Sequence, residues 1–164
     1  MILTRNFTLQ EFTRSNTALR LGLSNKPTKE GIIKLRLLAA FLQTIRDRLG
    51  ALRITSGYRS PALSQAIGSS ANSQHCRYEA VDLQFVKRGK MDNLKIYQTI
   101  VDLDLDFDQI ILEFGDSTEY NDPMRPAWIH LSWKVSDNRR QVLVAYKNEN
   151  NKTKYRPLIE YKSL

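Results

Sequence analysis

Residues 73–82 read Ser73-Gln74-His75-Cys76-Arg77-Tyr78-Glu79-Ala80-Val81-Asp82. The polar first part is typical of a loop, whereas Ala80 begins an apolar run to Phe85 that predicts a β-strand. His75 is therefore expected at the end of a loop, and Asp82 within the strand that follows. A carboxylate buried in an apolar strand must be paired or bound to a cation, because burying it alone is costly. This segment predicts a strand that carries a polar site.

The second of only two histidines, His130, lies in the run Trp128-Ile129-His130-Leu131-Ser132-Trp133. Strand alternation places His130 on one face with Trp128 and Ser132, and the odd-numbered apolar residues on the opposite face, expected to be the core. Two imidazoles and one carboxylate form a zinc ligand set of the catalytic type, which leaves a fourth position open. Other divalent ions could use the same set. Taken singly, each histidine has the alternative of a purely structural role.

A metal-dependent hydrolase also needs a general base. Glu113 lies in a predicted strand over residues 108–114, on the same face as Ile111. A hairpin between this strand and the strand of His130 would put Glu113 beside that histidine. Glu113 is therefore the first candidate for the base, and Asp116 is the second.

The remaining pattern predicts helices first and strands later. A helix is expected over residues 27–49, because Leu35, Leu38, Leu42, Ile45 and Leu49 share one face. Pro27 suits its first turn and Gly50 its end. Further elements are expected as a capped turn at Thr8, a strand at 52–56, helices at 62–67 and 91–103, and strands at 108–114, 128–133 and 141–146.

Residues 147–152 are expected to form a polar turn. The whole pattern predicts an α+β fold in which helices precede a small antiparallel sheet that carries the metal site. The length of 164 residues predicts a single domain over residues 1–164.

The chain is basic, with a net charge of +8 and a pI of about 9.7. Such a surface attracts polyanions, including nucleic acid, anionic lipid and acidic cell wall. The basic residues form no long block and are not interleaved with aromatics, which argues against a nucleic-acid partner. No run is long enough for a membrane span. The first residues lack the apolar region of a signal peptide, so we expect synthesis in the cytosol and delivery by another route.

Three motifs together resemble the zinc D-Ala-D-Ala carboxypeptidase family, which includes phage murein peptidases. They are Ser56-Gly57-Tyr58-Arg59-Ser60-Pro61, the Ser73-Gln74-His75 run with Ala80 and Asp82, and Trp128-Ile129-His130. The resemblance covers most of the chain and implies the fold of those peptidases, described as hedgehog- or DD-peptidase-like. It implies one zinc ion bound by His75, Asp82 and His130. It also implies that Arg59 grips a substrate carboxylate during catalysis and that Ser73 contacts substrate or supports a ligand.

The same resemblance implies hydrolysis of D-alanine-containing bonds in peptidoglycan stem peptides. Whether the cut is of the carboxypeptidase or endopeptidase type stays open. The phage relatives imply an endolysin or a virion-associated lysin that acts on the wall after release or as a virion part, with tail or baseplate proteins as partners.

Two departures from the family pattern lead to further expectations. Tyr78 stands where the family has glycine, which predicts a differently shaped loop and a narrower pocket. Many relatives place a catalytic glutamate shortly before the last histidine, but residues 126–128 are Pro-Ala-Trp, so Glu113 is expected to replace it. The alternatives are a weak or inactive member that serves as a tail, baseplate or wall-binding component, and a basic nucleic-acid-binding domain.

Overall fold

The computed structural model of the chain describes residues 1–115 and 124–158, and these contain five helices and nine strands. The helices are α1 (Leu9–Thr13), α2 (Asn16–Arg20), α3 (Lys29–Leu49), α4 (Pro61–Ala66) and α5 (Leu94–Asp102). The strands are β1 (Ile2–Thr4), β2 (Phe7–Thr8), β3 (Leu52–Ser56), β4 (Ala80–Lys87), β5 (Lys90–Met91), β6 (Gln109–Gly115), β7 (Pro126–Ser132), β8 (Gln141–Lys147) and β9 (Thr153–Pro157). Within these two ranges, no helix has the length and apolar character needed to cross a bilayer.

Seven of the strands form one mixed sheet, in the order β3-β4-β7-β6-β8-β9, with β5 paired to the end of β4. All neighbours are antiparallel except β6 and β8, which run parallel. The expectation of a small antiparallel sheet was therefore wrong in size and in strand direction, although the α+β class is correct. The chain leaves β7 and returns over residues 133–140 before it enters β8, and this return makes β8 run in the direction of β6.

The core lies between one face of this sheet and helices α3 and α5. The odd-numbered residues Ile129 and Leu131 of β7 are buried in it, as predicted. Helix α3 adds the leucine face that the spacing predicts, with Leu35, Leu38, Leu42 and Ile45 buried. Trp133, just beyond β7, stacks on Phe41 of α3 at 5.4 Å between ring centroids. The polar residues of the central strands are thereby left on the opposite face.

Helix ends follow capping chemistry with small shifts from the predicted bounds. Thr8 and Glu11 form a capping box at α1, as expected from their spacing. Helix α3 starts at Lys29 because the Thr28 side chain accepts the Gly31 N–H, so Pro27 precedes the cap instead of occupying the first turn. Gly50 ends the helix with φ 110°, a conformation that suits glycine.

Four strands were not predicted: β1 and β2, where only a capped turn was expected, and β5 and β9. Lys90–Met91 pairs with the end of β4, which delays the start of α5 to Leu94. The polar turn expected at 147–152 instead includes the end of β8 and connects it to edge strand β9. Lys154 and Arg156 of β9 are exposed, so this strand lacks the apolar face by which strands are recognised.

Tyr78 packs against α3. Its backbone has φ 65°, the left-handed region that favours glycine. Its ring stacks on Tyr58 at 4.3 Å, and its hydroxyl accepts the Thr28 N–H at 3.2 Å. A Cβ atom placed on Gly31 would lie 2.2 Å from a ring carbon of Tyr78. The loop thus keeps the backbone conformation that glycine would favour, and the ring occupies space left by a helical glycine.

Gly31→Ala is expected to destabilise the protein by about 1–3 kcal/mol, because the new methyl group overpacks the Tyr58–Tyr78 stack. In a Tyr78→Ala background the same substitution should become neutral or stabilising by up to about 1 kcal/mol, which is the usual helix preference for alanine over glycine. Urea unfolding of the four variants in this double-mutant cycle measures both effects. A stabilising Gly31→Ala in the presence of Tyr78 would contradict the contact.

Candidate metal centre

Adjacent strands β4 and β7 place Asp82 directly opposite His130 in the antiparallel register. His75 approaches from the loop that precedes β4. One ligand atom from each of His75, Asp82 and His130 can be chosen so that all three lie within 4.8 Å of one another. The structure therefore brings together the three residues that the sequence predicted as metal ligands.

The tautomer of His75 is fixed by the backbone. Its Nδ1 lies 2.7 Å from the carbonyl oxygen of Gly57, and because a carbonyl can only accept, Nδ1 carries the proton. Nε2 then presents its lone pair to Asp82 Oδ1 at 3.4 Å. Two acceptors at this distance need a proton or a cation between them, so the pair fits a metal ion.

His130 approaches the same carboxylate oxygen. Its Nδ1 lies 3.1 Å from Asp82 Oδ1, and its ring centroid is 5.1 Å from that of His75. All three side chains are buried. Two imidazole nitrogens and one carboxylate oxygen are a donor set that zinc accepts, with a coordination position to spare.

Protonation states in the cluster suit metal binding. Burial raises the pKa of Asp82, but the close contacts with His130 and His75 outweigh burial and hold the pKa below its usual value. Burial lowers the pKa of His75, although the nearby Asp82 acts in the opposite direction. An ionised carboxylate and a neutral imidazole are the forms that coordinate a metal ion.

Arg59 contacts the metal cluster directly. Its NH2 group donates to Asp82 Oδ2 at 2.6 Å, and its Nε donates to Ser56 Oγ at 2.9 Å. It also lines a polar cavity of about 290 Å³ together with Arg14 and Thr55. Arg59 thus orients the carboxylate of Asp82, a contact that the sequence did not indicate, and connects the cluster to a cavity. Its role toward a substrate carboxylate stays a prediction.

Ser73 is half-buried, and its hydroxyl lies 3.5 Å from the sulfur of Cys76. Neither a substrate contact nor support of a metal ligand is tested by this geometry, so both stay predictions.

The described contacts of the Tyr78 ring are with Tyr58, Thr28 and Gly31, and none of the three metal-ligand candidates is among these partners.

Glu113 lies on the same face of the sheet as the cluster. The predicted hairpin pairing of β6 with β7 is present, with Ile111 opposite His130 and Glu113 opposite Trp128. Glu113 is therefore two cross-strand pairs along from His130, which keeps it on the same face, and 9% of it is exposed. Asp116, the second candidate for the base, lies outside the described residues.

The environment of Glu113 changes its acidity. Burial raises the pKa of Glu113 from an ordinary 4.5 to about 7; the nearby His130 acts against this rise, whereas the charge of Asp82 adds to it. A carboxyl group with a pKa near neutrality can both accept and donate a proton at working pH. This property suits a general base and acid, a role that stays a prediction.

Sequence reasoning missed two supporting groups. The Gly57 carbonyl, which fixes the tautomer of His75, belongs to the quoted turn motif but was not assigned a role. Asp108, directly before β6, is 1% exposed and accepts a hydrogen bond from Gln74, the residue before His75. A carboxylate at the start of an apolar strand was the available signal for Asp108.

The comparison with protein families agrees with this centre. The family model described as Peptidase M15 matches residues 5–107, more than half of the chain. The matched part contains Arg59, His75 and Asp82 and ends before Glu113 and His130. No curated protein matches the chain. With the match and a cluster that could hold a metal ion, the chain belongs to the peptidase M15 family, a family of zinc metallopeptidases.

Proposed function

We propose that this protein is a zinc-dependent peptidase that hydrolyses D-alanine-containing peptide bonds in peptidoglycan stem peptides. The observation that carries the proposal is the convergence of His75, Asp82 and His130, with Glu113 on the same face of the sheet. Membership of the M15 family supports peptide hydrolysis as the reaction.

In this proposal His75 binds the metal through Nε2, because its Nδ1 is committed to the Gly57 carbonyl. His130 and Asp82 supply the second nitrogen and the carboxylate oxygen. When bound, zinc supplies Lewis-acid polarisation of a carbonyl group and lowers the pKa of a water molecule. The Arg59 bond to Oδ2 leaves Oδ1 of Asp82 facing both histidines.

Glu113 acts as the general base and then as the general acid. Its buried carboxyl group takes a proton from the attacking water and returns it to the leaving amine. A pKa of about 7 for Glu113 in the metal-free protein supports both proton transfers. The charge of a bound cation would lower this pKa and favour the ionised form that begins the reaction.

Substrate recognition is proposed to use the polar cavity beside the cluster. Arg59 and Arg14 both line it, and a guanidinium group matches a carboxylate in geometry and charge. Stem peptides carry free carboxylates, so a cavity with two cationic side chains fits this class of substrate. The overall charge of +8 also favours association with an anionic wall.

The biological setting that we propose is wall lysis by a phage, as an endolysin or a virion-associated lysin. It is supported by the resemblance of the sequence motifs to phage murein peptidases. The alternative is a non-catalytic tail, baseplate or wall-binding component of the same family. The raised pKa of Glu113 and its position near the ligand set favour the enzyme.

Incubation of the zinc-loaded protein with purified peptidoglycan is expected to release new amino groups. The activity should disappear after a chelator removes the metal and return when zinc is added back. Labelling of free amines followed by mass spectrometry of the released peptides measures the reaction and identifies the bond. Binding to peptidoglycan without new amines, by a protein shown to contain zinc, would overturn the enzyme proposal in favour of the wall-binding alternative.

A further inference from the structure

The buried carboxylate of Asp108 is the centre of a polar network that includes Gln74, the residue before His75. Arg139 donates to it through NH2 at 2.6 Å and through Nε at 3.1 and 3.2 Å, and Lys134 Nζ lies 3.1 Å from Oδ1. Burial raises the pKa of Asp108, but hydrogen bonds from Arg139, Lys134 and Gln74 outweigh it and lower the pKa below its usual range. Asp108 is therefore a fixed negative charge at neutral pH.

The network reaches the loop that carries His75. Gln74 Nε2 donates to Asp108 Oδ2 at 2.7 Å. The carbonyl oxygen of Gln74 in turn accepts the N–H groups of Arg77 at 3.2 Å and Glu79 at 3.0 Å. Gln74 thus joins Asp108 to the turn of backbone that presents His75, and a change at Asp108 would act on that turn.

The same residue reaches the strand that carries His130. The Asp108 N–H donates to the carbonyl oxygen of Ser132 at 2.9 Å. The Ser132 hydroxyl lies 3.5 Å from Asp108 Oδ2, a long and weak contact. Ser132 is two residues beyond His130 in β7. Both histidine-bearing segments are therefore bonded to one residue that is not a metal-ligand candidate.

We propose that Asp108 is a positioning residue that holds His75 and His130 in register for the metal, through Gln74 and Ser132. This inference rests on the proposed metal centre. Mutation of a group that orients a metal ligand by a hydrogen bond typically lowers metal affinity about 10–100-fold. The competing possibility is that Asp108 only anchors residues 134–139 to the start of β6. The Gln74 bond separates the two possibilities, because Gln74 belongs to the loop that carries His75 and its described hydrogen bonds do not include Lys134 or Arg139.

The test compares Gln74→Leu with Gln43→Leu. Gln43 is a matched control, because its half-buried side-chain amide also donates to an aspartate, Asp47, at 2.6 Å. Its other described partners are Thr4 and Asn6, outside the metal cluster. Zinc affinity is measured by competition with a chelator, the ligand geometry by the visible spectrum of the cobalt-substituted protein, and folding by thermal melting of the metal-free form.

Gln74→Leu is expected to weaken zinc binding about 10–100-fold and to change the cobalt spectrum. Gln43→Leu should do neither, and cooperative melting of both metal-free variants should show that each of them folds. Asp108→Asn should also weaken zinc binding. If Asp108→Asn does not fold, Gln74→Leu still tests the inference. Wild-type zinc affinity and an unchanged cobalt spectrum in Gln74→Leu would overturn the positioning role alone. A wild-type protein that binds neither ion would overturn the metal centre itself.

Discussion

Replacing His75 by alanine is expected to reduce zinc affinity by more than about a hundredfold, a larger loss than removing a group that only hydrogen-bonds to a metal ligand causes. Hydrolysis of peptidoglycan should fall by about a thousandfold or more, because the metal supplies several kcal/mol of transition-state stabilisation and each 1.36 kcal/mol is tenfold in rate. The physical reason is that only Asp82 and His130 remain as ligands, and the anchor from His75 Nδ1 to the Gly57 carbonyl is also lost.

Chelator competition and amine release measure the two losses. Asn72→Ala is the control, because Asn72 is an exposed residue of the same loop whose described bonds are made by its backbone. Zinc should raise the melting temperature of the wild type and of Asn72→Ala, since a ligand that binds only the folded state stabilises it. Zinc should leave the melting temperature of His75→Ala unchanged. Retention of wild-type zinc affinity by His75→Ala would exclude His75 from the centre.

Glu113→Gln is expected to lower the rate of peptide hydrolysis about 100- to 10,000-fold, the range that general acid–base catalysis supplies. Zinc affinity should change little, because Glu113 is not one of the three converging residues. This separation of affinity from rate distinguishes a base from a ligand. Glu149→Gln, at an exposed position after β8, is the matched control and should retain wild-type activity. Full activity in Glu113→Gln would show that the base is another group.

Glu113→Gln should also increase the stability of the metal-free protein at neutral and higher pH. Burial raises the pKa of Glu113 from an ordinary 4.5 to about 7 in the folded state, so between these pH values the folded state binds more protons than the unfolded state. Stability is therefore lost as the pH rises through this window. Glu113→Gln removes that loss and should be about 1–3 kcal/mol more stable than the wild type above pH 7.

Below pH 4.5 this electrostatic advantage should disappear. Urea unfolding of the metal-free proteins across this range measures the difference. A difference that does not vary with pH would show that the folded state does not raise the pKa of Glu113.

The site could be predicted from sequence wherever local pattern determines the direction of a side chain. Alternation in β7 separated His130 from the core residues Ile129 and Leu131, and the structure confirms this division. Spacing of three and four residues likewise predicted the buried face of α3. Both are consequences of backbone periodicity and need no knowledge of distant contacts.

Features that depend on distant partners were not predictable in the same way. The parallel pairing of β6 with β8 follows from how the chain returns after β7, which no local pattern encodes. Arg139 and Gln74 reach Asp108 from 31 and 34 residues away. The bond from Arg59 to Asp82 spans 23 residues. Such contacts arise only when the sheet assembles, and they define how the ligands are held.

X-ray absorption at the zinc edge of the loaded protein tests the central claim most directly, because it reports which atoms bind the metal. We predict one zinc ion bound by two imidazole nitrogens and by oxygen ligands, all at about 2.0–2.2 Å. This is the shell that His75, Asp82 and His130 would provide with one position left open. A sulfur neighbour at about 2.3 Å, which would implicate Cys76, or a shell without imidazole would contradict the account.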